Sequence, residues 1–137
     1  MYASLVTLLP MRIIAQGIDL IECQRIRDVW QRHGDRLTDR LLTPAELDYV
    51  RVHRDPVPRL AGRFAAKEAI LKVLGTGWKG KIAWRDMEIL NDAAGRPYVT
   101  LCDECRQVAE SLGITRILIS ITHTENFAAA VAIGVAE

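Results

Sequence analysis

The chain has 137 residues, half of them hydrophobic and 26% charged, with a formal net charge of +1. That length suits one domain able to bury roughly two-thirds of the surface its unfolded form exposes, and the composition is that of a globular protein. No apolar run approaches a membrane span, and three cysteines cannot form a disulfide framework.

Residues 1–10 are apolar, lack a basic leader and are followed closely by Arg12, unlike a secretory signal. They read as an extension ahead of Met11, the expected natural start, with one domain over 11–137 and a cytoplasmic location. Residues 12–21 form a β-branched, buried strand interrupted by Gly17 and Asp19. A helix follows over 22–33, with Ile26, Val29 and Trp30 at helical spacing and Gly34 as its stop. Thr43-Pro44-Ala45-Glu46 starts another helix. Thr43 caps it, Pro44 suits the first helical position, and Glu46 completes a capping box.

Residues 54–58 break the chain, and 59–74 carry the strongest helical pattern, ended by Gly75. Its expected apolar stripe runs through Leu60, Phe64, Leu71 and Leu74, with Glu68 inside it. Gly75, Thr76, Gly77 and Gly80 make a lysine-bearing loop. Strands are expected over 82–90 and 98–101 around a turn at 91–95. A short helix spans 103–112, then strands 116–122 and 127–135 close the chain. Hairpin-like neighbours predict an α+β fold, a mainly antiparallel sheet packed against the long helix.

Charge is unevenly placed: residues 51–81 carry a net +6 and the remainder −5. A basic segment of this kind suits an anionic ligand, or simply a solvated helix face. Glu68 in an apolar stripe needs a cation; Lys72, at i+4, is the nearest. Asp19 is a poor strand residue and a good ligand for a hard cation. Two carboxylates on separate elements, amid Arg63, Lys67, Lys72, Lys79 and Lys81, describe a metal–phosphate site. The glycine loop can present backbone N–H groups to an anion.

Two other features point elsewhere. Trp78 and Trp84 beside Lys79 and Lys81 would allow base stacking in a nucleic-acid binder, but that reading leaves Asp19 and Glu68 unexplained. Cys102-x-x-Cys105 opens a helix, where a thiol pKa can fall. It lacks the second pair of a zinc site.

Phe64-Ala65-Ala66-Lys67-Glu68-Ala69, then Lys72 and Gly75-Thr76-Gly77, resembles the signature of the holo-acyl-carrier-protein synthases, the small 4′-phosphopantetheinyl transferases. Gly17-Ile18-Asp19 with Glu22 and Arg25-Ile26 is similar to the family's opening motif, and Thr43-Pro44-Ala45-Glu46-Leu47 also fits. Gly95-Arg96-Pro97-Tyr98 resembles its hairpin, and Ser120-Ile121-Thr122-His123-Thr124 its closing strand. The resemblance runs from about Met11 to the end. Ala15 stands where the family often has another glycine.

The resemblance implies a magnesium-dependent transferase that moves phosphopantetheine from coenzyme A to a serine of acyl carrier protein, in support of fatty acid biosynthesis. Asp19 and Glu68 would bind magnesium, and Lys72 would neutralise the transferring phosphoryl group. Arg63 would contact the 3′-phosphate, with Lys67 serving the phosphates too. Pro97, Thr122, His123 and Thr124 would lie near the nucleotide, and Gly75, Thr76 and Gly77 along the approach. Arg25 would meet the acidic carrier. The base would be Glu68, Asp19 or a metal-polarised water. A homotrimer with the coenzyme between subunits is implied, with neither membrane nor nucleic acid as partner.

Overall fold

The opening strand is β1 (Arg12–Glu22), and it leads directly into helix α1 (Cys23–His33). The computed structural model describes residues 10–76 and 81–137. Gly77, Trp78, Lys79, Gly80 and most of the 1–10 extension, all named above, therefore lie outside the described residues. Three more helices follow: α2 (Asp35–Leu41), α3 (Pro44–Arg51) and α4 (Val57–Leu74). A single 3₁₀ turn, Trp84–Asp86, precedes the hairpin β2 (Met87–Asn91) and β3 (Pro97–Leu101). Helix α5 (Asp103–Ser111) and strands β4 (Arg116–His123) and β5 (Phe127–Ala136) complete the chain.

The α+β expectation holds, with the strands divided between two antiparallel sheets. One has the order β1-β5-β4 and the other is the β2–β3 hairpin. In the larger sheet Gly17 faces Ala132, and Asp19 faces Ala130, which in turn faces Ile121 of β4. Helix α4 packs across β1, β5 and β4. Its Ala61, Ala65, Ala66 and Ala69 are fully buried, as are Ala128, Ala130 and Ala132 of β5 or nearly so. Small side chains on both surfaces let helix and sheet approach closely, the packing that a dispersion-dominated core rewards.

Three local expectations change. Helix α4 begins at Val57, because Pro58 needs no N–H donor in a first helical turn. The strand expected from residue 82 starts only at Met87, since the 3₁₀ turn intervenes. Helix α2 was not anticipated: it is short and polar, and is held by burying Thr38 and Leu41. The capping box at Thr43 forms as expected, with Thr43 and Glu46 exchanging side-chain and backbone hydrogen bonds.

No helix among the described residues is long and apolar enough to cross a membrane.

Candidate functional site

Helix α4 differs from the one-sided stripe its sequence suggested. It is buried nearly all round, and only Arg59, Phe64, Glu68 and Lys72 are not buried. A helix apolar on every side belongs inside a domain. Phe64, Glu68 and Lys72, spaced at i, i+4 and i+8, share one strip. Glu68 thus lies on the open strip of a core helix, not within an apolar face.

That strip meets β1 at Gly17. A Cβ there would overlap the Ala69 carbonyl oxygen and approach Lys72 Cβ to 2.9 Å, so only glycine admits the helix so close. The strand alternates Gly17, Asp19 and Ile21 inward with Ile18 and Leu20 outward. Lys72 Nζ donates to the Ile18 carbonyl at 2.7 Å and to Asp19 Oδ1 at 3.4 Å. Asp19 is 19% exposed, whereas the Lys72 side chain is 54% exposed. Because 3.4 Å is long for a charge-assisted hydrogen bond, the Asp19 carboxylate keeps acceptor capacity. Glu68 lies one turn before Lys72 on the same strip of α4, so a second hard carboxylate donor shares the side of the helix that meets Asp19. Such a donor set suits a divalent ion that retains water and phosphate ligands.

Lys67 belongs to a different environment, and here the sequence expectation is corrected. Its side chain is fully buried. Nζ donates to Glu46 Oε1 at 2.8 Å, to the Leu41 carbonyl at 2.6 Å and to the Trp84 carbonyl at 3.2 Å. Three donors meet three acceptors, leaving none for a phosphate. Burial pushes the ammonium's pKa down and the Glu46 carboxylate opposes that push. Adjacent residues on a helix point about 100° apart, so Lys67 faces inward while Glu68 faces the gap.

Arg63 lies one turn before Lys67 and is 3% exposed. Its guanidinium stacks 4.1 Å over the Tyr49 ring and donates to Asn91 Oδ1. It borders a groove of about 170 Å³ that Arg59, Asn91, Pro97 and His123 also line. Arg63, Pro97 and His123 are therefore brought together, from α4, β3 and β4. Thr122 is exposed near the end of β4. The Thr124 hydroxyl is engaged in the β4–β5 turn, accepting from the Asn126 and Phe127 amides. Gly75 ends α4 in the left-handed conformation (φ 71°), with Thr76 next to it. Arg25 is exposed on α1, remote in sequence from the groove.

Sequence reasoning missed Tyr49, Arg59 and Asn91. Arg59 was legible as the i−4 neighbour of Arg63 on one helix face. Tyr49 and Asn91 reach Arg63 from α3 and β2, and no local pattern announces that. The Cys-x-x-Cys pair does not behave as a redox motif: burial pushes the Cys105 thiol up to about 12 and raises Cys102 as well. Trp84 packs against Phe64, ring centroids 5.2 Å apart, which removes it from the base-stacking reading.

The α+β scaffold thus sets the Asp19–Lys72 contact and the basic groove at Arg63 along one helix, α4. The family model of the 4′-phosphopantetheinyl transferase superfamily matches residues 15–132. A holo-[acyl-carrier-protein] synthase of Koribacter versatilis is 43% identical over 118 residues, 86% of this chain and 94% of that protein. The structure of a Plasmodium yoelii acyl carrier protein synthase with ADP bound superimposes with a TM-score of 0.84 at 30% identity, covering 94% of this chain and 99% of that one. A Helicobacter pylori holo-[acyl-carrier-protein] synthase in complex with coenzyme A gives 0.78 at 28% identity, over 88% and 99%. The chain belongs to the 4′-phosphopantetheinyl transferase superfamily.

Proposed function

We propose that this protein transfers the 4′-phosphopantetheine arm of coenzyme A to a serine of apo acyl carrier protein, releasing adenosine 3′,5′-bisphosphate, in a magnesium-dependent reaction. The observation that carries the reading is the shared gap between β1 and α4, where Asp19 and Lys72 are in contact and Glu68 lies one turn away. The groove at Arg63 and His123 adjoins the same helix.

In this reading Asp19 and Glu68 hold the cation, which supplies charge neutralisation at the diphosphate. Lys72 is exposed and can swing from Asp19 to the phosphoryl oxygens as negative charge develops there. The serine oxygen forms a bond to the β-phosphorus while the bridging bond to the α-phosphate oxygen breaks. A carboxylate of the Asp19–Glu68 pair takes the serine proton. Arg63 and His123 receive the nucleotide end, Pro97 and Thr122 border it, and Gly75 and Thr76 line the approach. Arg25 on α1 offers a positive contact to an acidic carrier.

The outer face of the main sheet supports self-association, and the family resemblance supplies the expected number of three. Ile13, Ile18 and Leu20 are each more than 60% exposed, and Val131 of β5 is 37% exposed. Ile18 and Val131 are paired across β1 and β5, and exposed apolar side chains grouped in this way mark an interface. Light scattering at three times the 15.3 kDa chain mass would support this part of the reading.

Intact-mass spectrometry tests the chemistry: apo acyl carrier protein, coenzyme A, magnesium and this protein, with an EDTA control. A gain of one phosphopantetheine that EDTA abolishes is expected. No gain with several carriers from a folded sample would overturn the transferase reading, and a gain that survives EDTA would overturn magnesium dependence.

A further inference from the structure

The basic groove has a titratable neighbour that the transfer chemistry leaves unused. His53 follows α3, and its ring stands edge-on to Tyr49, centroids 5.2 Å apart at 72°. Tyr49 in turn carries the Arg63 guanidinium on its face. His53 Nε2 and Arg63 Nε are both buried side-chain nitrogens without a hydrogen-bond partner. Buried polar atoms are nearly always paired. Tyr49 and Arg63 line the groove, and His53 adjoins that lining through its stack on Tyr49, so the two unpaired nitrogens belong to one stacked triad beside the groove.

The groups that face His53 come from every side of this corner. Arg59 and Arg63 approach from α4, His123 from the end of β4, and Tyr49 lies against the ring from α3. The charged groups that shift His53 are Arg59, Arg63 and His123, while the nearby Asp55 carboxylate is engaged by Arg27. An open groove of this kind repels a proton from the imidazole. A doubly charged phosphate reverses the local field.

We propose that His53 is the proton-linked residue of the groove, neutral when the groove is open and protonated when a phosphomonoester dianion occupies it beside Arg63. The inference rests on the reading that this groove takes the nucleotide end of coenzyme A. The imidazole gains one proton from solvent, the phosphate stays dianionic, and no other bond changes. Burial first, then repulsion from Arg59, Arg63 and His123, hold the free histidine's pKa below its ordinary value, the direction such a linkage needs. His53 would thereby favour a terminal phosphate over the same ligand without one. Linkage makes the affinity rise as pH falls, by up to about tenfold per pH unit from one such group.

The test uses the full chain and adenosine 3′,5′-bisphosphate, which carries phosphomonoesters at 3′ and 5′, with dephospho-coenzyme A as the ligand that carries none. Calorimetry at neutral pH, in buffers of low and high ionisation enthalpy, counts the protons exchanged. The phosphate's own second ionisation contributes equally to wild type and His53→Gln, so their difference isolates His53. Wild type is expected to take up several tenths of a proton more than His53→Gln with the bisphosphate, and no more with dephospho-coenzyme A. The sequence has three histidines, so the ring carbon resonances of wild type give an independent readout if the variant fails to fold. The bisphosphate should move the His53 resonance toward the imidazolium position and leave His33 unchanged. An unshifted His53, or equal proton counts in wild type and variant, would overturn the proposal while the groove reading stands. If the His123 resonance, which lies in the groove wall, also stays unmoved at saturating bisphosphate, the groove reading itself fails.

Discussion

Two lysines five residues apart on α4 each reach a carboxylate, and they differ in almost every other respect. Lys67 is sealed in the core, its three donors bound to Glu46 and two carbonyl oxygens. Lys72 is more than half exposed and holds Asp19 only at 3.4 Å. Glu46 is equally committed, accepting from Lys67, from the Thr43 amide and from the Ile89 amide at 3.0 Å. One pair ties α3, α4 and β2 together; the other leaves a carboxylate and an ammonium available. A basic residue in a signature motif can thus serve either architecture or chemistry, and burial separates the two.

The largest effect expected from breaking this contrast is at the buried pair. Lys67→Ala would strand the Glu46 carboxylate and cost about 3–5 kcal/mol of stability, read as a fall in the urea midpoint. Transfer activity per folded molecule should change little. A stable variant with abolished activity would mean that Lys67 serves the phosphates after all. Asp19→Asn should do the reverse. Transfer is expected to fall by ~10²–10³, about 2.7–4 kcal/mol of barrier, the scale of losing one electrostatic stabiliser of a transition state. Its urea midpoint should stay close to wild type. Near wild-type turnover in limiting magnesium would remove Asp19 from the metal site.

A smaller effect sharpens the comparison with surface pairs. Arg27 Nη2 and Asp55 Oδ2 lie 2.9 Å apart but are substantially exposed. The hydrogen bond from Arg27 is the chief reason that the Asp55 carboxyl sits below its ordinary pKa. That contribution is therefore complete above the usual carboxylate pKa and disappears as pH falls through the depressed one. Solvent screening keeps it slight. Asp55→Asn should leave the melting temperature at pH 7 almost unchanged and flatten its dependence on pH only on the acid side. A large loss at pH 7 would place this surface pair beside Lys67 and Glu46 rather than opposite them.

Much of the architecture was legible because local chemistry agreed with the fold. A β-branched run marked β1, the Asn91–Gly95 turn marked the hairpin, and Thr43 with Glu46 marked the start of α3. Helix α2 stayed hidden because seven mostly polar residues carry little periodic signal, and tertiary burial of Leu41 stabilises them. In the site, Asp19 stood out as an acid in an apolar strand and Arg63 as part of a basic segment. Lys67 was misread because its partner is 21 residues away, and Glu46 had already been explained as a cap. It is both. His53 gave no sequence signal at all, since its significance depends on which cations surround it after folding.

The alternation of β1 has a mechanical consequence. Asp19 points toward α4 while its neighbours Ile18 and Leu20 point away, 64% and 67% exposed. Three consecutive peptide units cannot be displaced separately, so whatever grips the outer pair also fixes the carboxylate between them. No hinge or lever arm intervenes. Turnover per chain should consequently depend on dilution if a second surface covers that face, because uncovering the outside of the strand loosens its inside in the same motion.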